Sequence, residues 1–418
     1  LFTHYTHPKL RWPININVET VENQNILVIS CPQGLVDNPL TLVAGVAPII
    51  SEFNGQNSIE NIANKFSHYG INLALVEELV KLLDQSLFLE TPEYYKKINT
   101  IKKDFRENPI RKPALAGLSY PATSAELSLF LDGFMANHNK ITNNNLIGLV
   151  TPHIDYYRGG SCYGKTFSEL TNSKHDLFVL LGTAHQYSPH IFHLTYKDFE
   201  TPISKLDCDI ELARQLINAY GEERSLVDEF LHKKEHSLEL QTPFLAKLNP
   251  NAKILPILVG SFHHMVTKQL EPKHFASYQE FSESLVSVLR TAYNQGRSIC
   301  FICGVDMAHM GQYFGDKEKL TPKLMEQIAE RDRQYLELIE KQDKAGLFAH
   351  IAEDADARKI CGYPSVYLLL DILENLKIKS TITCIDYQQA VNYKNDCAVT
   401  FAGLKIEVIN KIHRQAVS

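Results

Sequence analysis

The chain has 418 residues, 42 Lys+Arg against 48 Asp+Glu for a formal net charge of −6, with 44% hydrophobic and 22% charged residues. That composition excludes disordered, collagen-like and coiled-coil proteins, and the length allows two to three domains. No apolar run reaches the roughly 18–20 residues of a membrane span and no export signal opens the chain, so a cytoplasmic protein without a membrane partner is expected. The first residue, Leu1, points to a start within a longer or processed chain.

Charge divides the sequence into three parts. Residues 1–95 hold four basic and ten acidic residues, and residues 96–113 hold seven basic and two acidic. Residues 114–418 hold 31 basic and 36 acidic. An N-terminal domain at 1–95, a basic linker at 96–113 and a large domain at 114–418 follow from this division.

In the first part, Asn25–Cys31 reads as a strand and Leu42–Phe53 as a helix. Ser58 caps a helix over Ile59–Phe66, with Glu60 in its first turn. Leu73–Gln85 has helical apolar spacing, and Leu87–Leu89 fits a short strand. Three helices ending in a strand describe a small winged helix. The acidic balance argues against DNA, because phosphate binding needs a basic face, so no nucleic-acid partner is expected. The segments Phe53-Asn-Gly55, Ser58-Ile-Glu-Asn-Ile-Ala63 and Leu87-Phe-Leu89 resemble PqqD-like domains. That resemblance implies a peptide or protein partner, often beside radical-SAM enzymes.

From Pro113 onward the pattern is α/β. Strands are predicted at 146–151, 177–182, 253–259, 298–305 and 381–387. Helices are predicted at 124–137, 164–170, 208–219, 236–248, 275–295, 323–341 and 365–376. Such alternation implies a mainly parallel sheet covered by helices on both faces, with ligands beyond the carboxyl ends of the strands. The eight cysteines are too sparse for a disulfide framework. Cys300 and Cys303 form a C-x-x-C inside a predicted buried strand, where side chains three apart face opposite sides.

The histidines fit the strand ends. Leu146–Pro152 runs into His153, Leu177–Ala184 into His185, and Ser298–Val305 into Asp306 and His309. Glu235-His236 opens a helix. Cys361 lies close to the start of another, after Arg358 and Lys359, an arrangement that would lower a thiol's pKa. Arg158-Gly-Gly-Ser161 reads either as an anion-binding helix start or as a glycine turn needed for packing.

Taken together, Pro152-His-Ile-Asp155, Leu181-Gly-Thr-Ala-His185, Glu235-His-Ser-Leu-Glu239, Asp306-Met-Ala-His-Met-Gly311 and Ile360-Cys-Gly362 resemble the Memo family, in the family's order. The resemblance implies an extradiol-dioxygenase-like fold and a metal pocket. Its ligands would be His153, His185 and Cys361, with Asp306, His309 and His236 as catalytic or ligand-orienting groups. It also implies iron (Fe2+), with copper or zinc as alternatives. Radical-SAM and AMMECR-type proteins are the implied partners. Ile154-Asp155 and Gln186 depart from animal members of the family, which puts the animal signalling role in doubt. Two other readings stand beside a metal-dependent oxidoreductase. One is a hydrolase or transferase with Cys361 as nucleophile, and the other a non-enzymatic peptide-binding adaptor. No G-x-S-x-G, P-loop, H-E-x-x-H or dinucleotide motif is present.

Overall fold

The computed structural model describes residues 3–22, 24–36, 38–136 and 142–409. They divide into two compact units, 1–108 and 109–418.

After a short helix, Thr3–Thr6, the N-terminal unit has a three-stranded antiparallel sheet, Asn15–Val21, Gln24–Ser30 and Leu40–Val43 in that order. Only the middle strand is legible in the sequence as a strand. The expected helix at 42–53 is instead the end of the third strand followed by a short helix, Ala47–Ile50. The helices Ile59–Lys65 and Leu73–Gln85 lie where their apolar spacing puts them, capped by the side chains of Ser58 and Asn72. Leu27, Ile29, Ile50, Phe53, Ile62, Val76, Leu83 and Phe88 form the core of this unit. The strand expected at 87–89 is reduced to a single bridge, Leu10 to Leu89. Most of the basic stretch 96–113 is helical, within Pro92–Glu107, which Thr91 caps.

The large unit is built on one eight-stranded sheet. Its strands are β1 (Leu146–Thr151), β2 (Leu177–Thr183), β3 (Phe192–Leu194), β4 (Lys253–Val259), β5 (Ile299–Gly304), β6 (His309–Met310), β7 (Ser380–Asn392) and β8 (Cys397–Val408). The order is β6-β8-β1-β5-β2-β4-β3, with β7 paired to β8. The central strands β1, β5, β2 and β4 are parallel, as the α/β alternation requires. The flanks are antiparallel, so the sheet is mixed. The expected strand at 381–387 is the first arm of a hairpin. Four residues between β7 and β8 leave no room for a crossover helix, so the arms pair antiparallel.

Side chains alternate between two cores. Val179, Leu181, Ile257 and Cys303 face one, which the helices Ile210–Tyr220, Ala276–Asn294, Pro322–Glu340 and Tyr363–Asn375 cover. Phe178, Leu180, Leu258 and Cys300 face the other, under Ser124–Met135, Tyr156–Ser168 and Thr242–Leu248. Cys300 and Cys303 therefore lie on opposite faces, as their spacing predicts. All eight cysteines are free. Asn137, the last residue predicted for the 124–137 helix, lies outside the described residues. The helix predicted over 236–248 is two helices, His236–Glu239 and Thr242–Leu248. Pro243 has no N–H and clashes with the carbonyl four residues back, which breaks the run there. Among the described residues no helix is long and apolar enough to cross a membrane.

Candidate metal centre

Parallel β1 and β2 end next to one another across β5, so the residues that follow them emerge on one rim of the sheet. His153 follows β1 and is 1% exposed. Its backbone N–H donates to Asp306 Oδ1 at 2.9 Å, and its Nδ1 donates to the Gly304 carbonyl at 3.0 Å. With Nδ1 spent, Nε2 is the nitrogen left for a ligand. Gly304 has no space for a side chain, since a Cβ there would stand 2.4 Å from the Ser237 carbonyl.

His185 follows β2 and is held twice by one carboxylate. Its backbone N–H donates to Glu235 Oε2 at 2.9 Å and its Nδ1 to Oε1 at 2.8 Å. His236 Nδ1 stands 3.2 Å from the same Oε1. Glu235 is 5% exposed and caps the short helix that His236 begins, accepting from Ser237 N. Burial alone would raise the Glu235 carboxyl, but the two imidazoles hold it well below the usual carboxylate range. Burial pulls His236 down, yet Glu235, helped by Asp306 and Glu239, outweighs it and leaves the ring above its usual value. For His153, burial and the two neighbouring imidazoles act together and hold the ring neutral, the form that binds metals.

The three rings meet. Centroids are 4.4 Å apart for His185 and His236, 4.8 Å for His153 and His185, and 5.1 Å for His153 and His236. One ligand atom from each lies within 4.8 Å of the other two, and this is the candidate cluster among the described residues. Cys361 lies beside it, with Sγ 3.3 Å from His153 Nε2. The expectation that its thiol is acidified fails. Burial and the Asp306 carboxyl push it up. The cations before it are engaged elsewhere, Arg358 with Asp354 and Asp332, and Lys359 with Asp316.

A cavity of about 1070 Å³ opens onto the cluster, with His153, His185, His236, Asp306 and His309 among its lining. Burial pushes Asp306 up to about 7, against two backbone N–H donors that favour its ionised form. Burial and the nearby His185 pull His309 down to about 4. Its Nδ1 donates to the carbonyls of Met307 and Lys359, each at 3.1 Å, and its ring packs edge-on to Phe314. Ala390, Asn392, Tyr393, Asn395 and Val399 of the β7–β8 hairpin form another wall of this cavity. The start of helix Tyr156–Ser168 is already occupied, because Asp155 accepts from Arg158 N at 3.1 Å. The glycines of that helix serve packing: a Cβ on Gly164 would lie 2.0 Å from the Phe134 carbonyl.

Sequence reasoning missed the residues that hold the cluster in place. Glu235 is one. Arg111 is another: it donates to the carbonyls of His232 and Glu235 and pairs with Glu239, both side chains being 1% exposed. Glu239 in turn accepts from Ala114 N, Leu115 N and the Tyr120 hydroxyl. The available signal was Glu235-His-Ser-Leu-Glu239, which carries both acids around His236.

Two histidines beyond the ends of parallel strands and a third at a helix start, each ring held by an oxygen acceptor, form a candidate metal cluster on an α/β fold. A Memo-like protein family model matches residues 111–405, and the chain belongs to that family. A MEMO1 family protein of Aquifex aeolicus is 26% identical over 380 residues, covering 90% of this chain and 95% of its own. One from Thermus thermophilus is 28% identical over 306 residues, covering 73% and 85%. One from Thermococcus kodakarensis is 30% identical over 254 residues, covering 58% and 81%.

Proposed function

We propose that this Memo-family protein binds a redox-active transition metal, iron (Fe2+) or copper, at His153, His185 and His236, with Cys361 as a further ligand. The observation that carries the reading is the pinning of two Nδ1 atoms, His153 on Gly304 O and His185 on Glu235, which leaves Nε2 of both rings for a metal. Three imidazoles and a thiol make a borderline-to-soft donor set that suits Fe, Cu or Zn. When bound, the metal would supply Lewis acidity and electron transfer to a substrate in the large cavity. The chain's own part is to hold the ligands: Glu235 orients two rings, and Asp306 fixes the His153 backbone. Asp306, pushed up to about 7, is suited to hold or release a proton at its carboxyl beside the cluster.

Metal analysis of anaerobically purified protein tests the reading. Near-stoichiometric Fe or Cu that is lost in His153→Ala is expected. A normally folded protein that takes up neither metal rejects it. The rival reading, Cys361 as nucleophile, is weakened by burial that raises the thiol. We further propose that the N-terminal unit serves a peptide or protein partner, on the strength of its acidic balance, and that radical-SAM and AMMECR-type proteins are the partners the PqqD-like and Memo resemblances imply. Salt-sensitive co-precipitation with such partners is the expected result.

A further inference from the structure

Arg11, in the N-terminal unit, is a buried cation without a carboxylate. It is 1% exposed, and among the described residues it forms no ion pair with Asp or Glu. Its Nε and one terminal nitrogen, Nη1, donate to the carbonyls of Leu87 and Pro13. The guanidinium carbon lies 5.4 Å from the centre of the Phe88 ring and 5.2 Å from that of Tyr94. The other terminal nitrogen, Nη2, has no hydrogen-bond partner. Carbonyls and ring faces attract a cation but bring no net negative charge, and a buried cation without a counterion is strongly destabilising.

Cys31 is the neighbour able to carry that charge. Asn15 pairs with Ser30 in the sheet, so Cys31 leaves its strand alongside residues 11–14. The residue is partly exposed and packs at the edge of the unit's core. Burial would raise its thiol, but the Arg11 guanidinium and the backbone N–H groups of Leu35 and Val36 outweigh burial and hold it below its ordinary value. Tyr94, the other titratable group against Arg11, is raised by burial and stays a neutral phenol. Burial pushes the other seven thiols up. Cys384 and Cys397 are among them, although both are partly exposed like Cys31.

We propose that Cys31 is the counterion of Arg11 and, as a partly exposed thiolate, the chain's site of S-thiolation by a low-molecular-weight disulfide. In that step the Cys31 Sγ attacks one sulfur of the disulfide. A new S–S bond joins Cys31 to that half, the old S–S bond breaks, and the other half leaves as a thiolate with the bonding pair. Cys31 is oxidised, the leaving half is reduced, and no proton moves. The site needs no metal, so its test is run on metal-free full-length protein and its failure is separable from failure of the metal reading.

The probe is 2-hydroxyethyl disulfide, which is uncharged and so meets no repulsion from the acidic unit. Adducts are located by peptide mass mapping after reaction at pH 6.5, where an ordinary thiol is only about 1% thiolate. Cys31 should react about tenfold faster or more than Cys384 and Cys397, because the thiolate is the nucleophile. It should also react faster in the folded chain than in the urea-unfolded one, where access is complete but Arg11 is gone. Arg11→Gln should slow it about fivefold or more, and Arg11→Lys, which keeps the charge, should slow it less. A Cys31 that reacts no faster than Cys384 and Cys397, or no faster folded than unfolded, overturns the proposal. An unchanged rate in folded Arg11→Gln overturns it as well. If that variant does not fold, the folded and unfolded parent chains decide the matter by themselves.

Discussion

Two groups of histidines lie within the large unit, and they differ in what surrounds them. His153, His185 and His236 share a carboxylate and backbone acceptors, and they present ligand atoms to one another. His193 and His232 are as buried as His153, at 0% and 1% exposure, but are packed as bulk. His232 Nε2 donates to the His193 carbonyl while its Nδ1 has no partner. Burial pulls His193 down to about 4 and His232 down to about 3. Burial keeps His153, His193 and His232 neutral, but only the first group is oriented as a candidate metal site.

The contrast can be broken in order of size. His153→Ala should abolish metal binding, read by metal analysis, whereas His232→Gln should leave it intact. Arg111→Ala should cost about 3–5 kcal/mol in urea unfolding, because it strands Glu239 as a buried unpaired charge. Glu235→Gln should keep the fold but weaken metal affinity about 10–100-fold, measured by competition with a chelator. Acid should act through the second group as well as through His153. In the folded chain His193 and His232 stay neutral, while the unfolded chain takes up protons near pH 6.5. Each therefore subtracts up to about 1.4 kcal/mol per pH unit as pH falls from 6.5 toward 4, and stability is fully present above 6.5. In His232→Gln the melting temperature should fall less steeply over that range.

The strands that carry the site are legible because a parallel strand buried on both faces is a continuous apolar run. Leu146–Thr151 and Leu177–Thr183 are buried throughout. Strand β8 is not legible, since its register depends on pairing with β1 and β7 far away in sequence. The exposed strand Asn15–Val21 has no buried face to set an alternating pattern, and it too escapes a sequence reading. His153, His185 and His236 can each be named from position, but their grouping needs the strand order, which no local pattern encodes. The acidified thiol at Cys361 fails for a related reason. Arg358 and Lys359 are adjacent in sequence, yet their charges are directed to Asp332, Asp354 and Asp316.

The β7–β8 hairpin shapes one wall of the large cavity but supplies none of the clustered histidines. The candidate metal cluster and this wall of the cavity are thus written in separate stretches of the chain. Substitutions at Asn392, Tyr393 or Asn395 would reshape the cavity without touching the histidines, so this turn is the natural place for members of one lineage to diverge in what they bind. The same separation makes it the first segment to exchange when grafting a new specificity onto the scaffold.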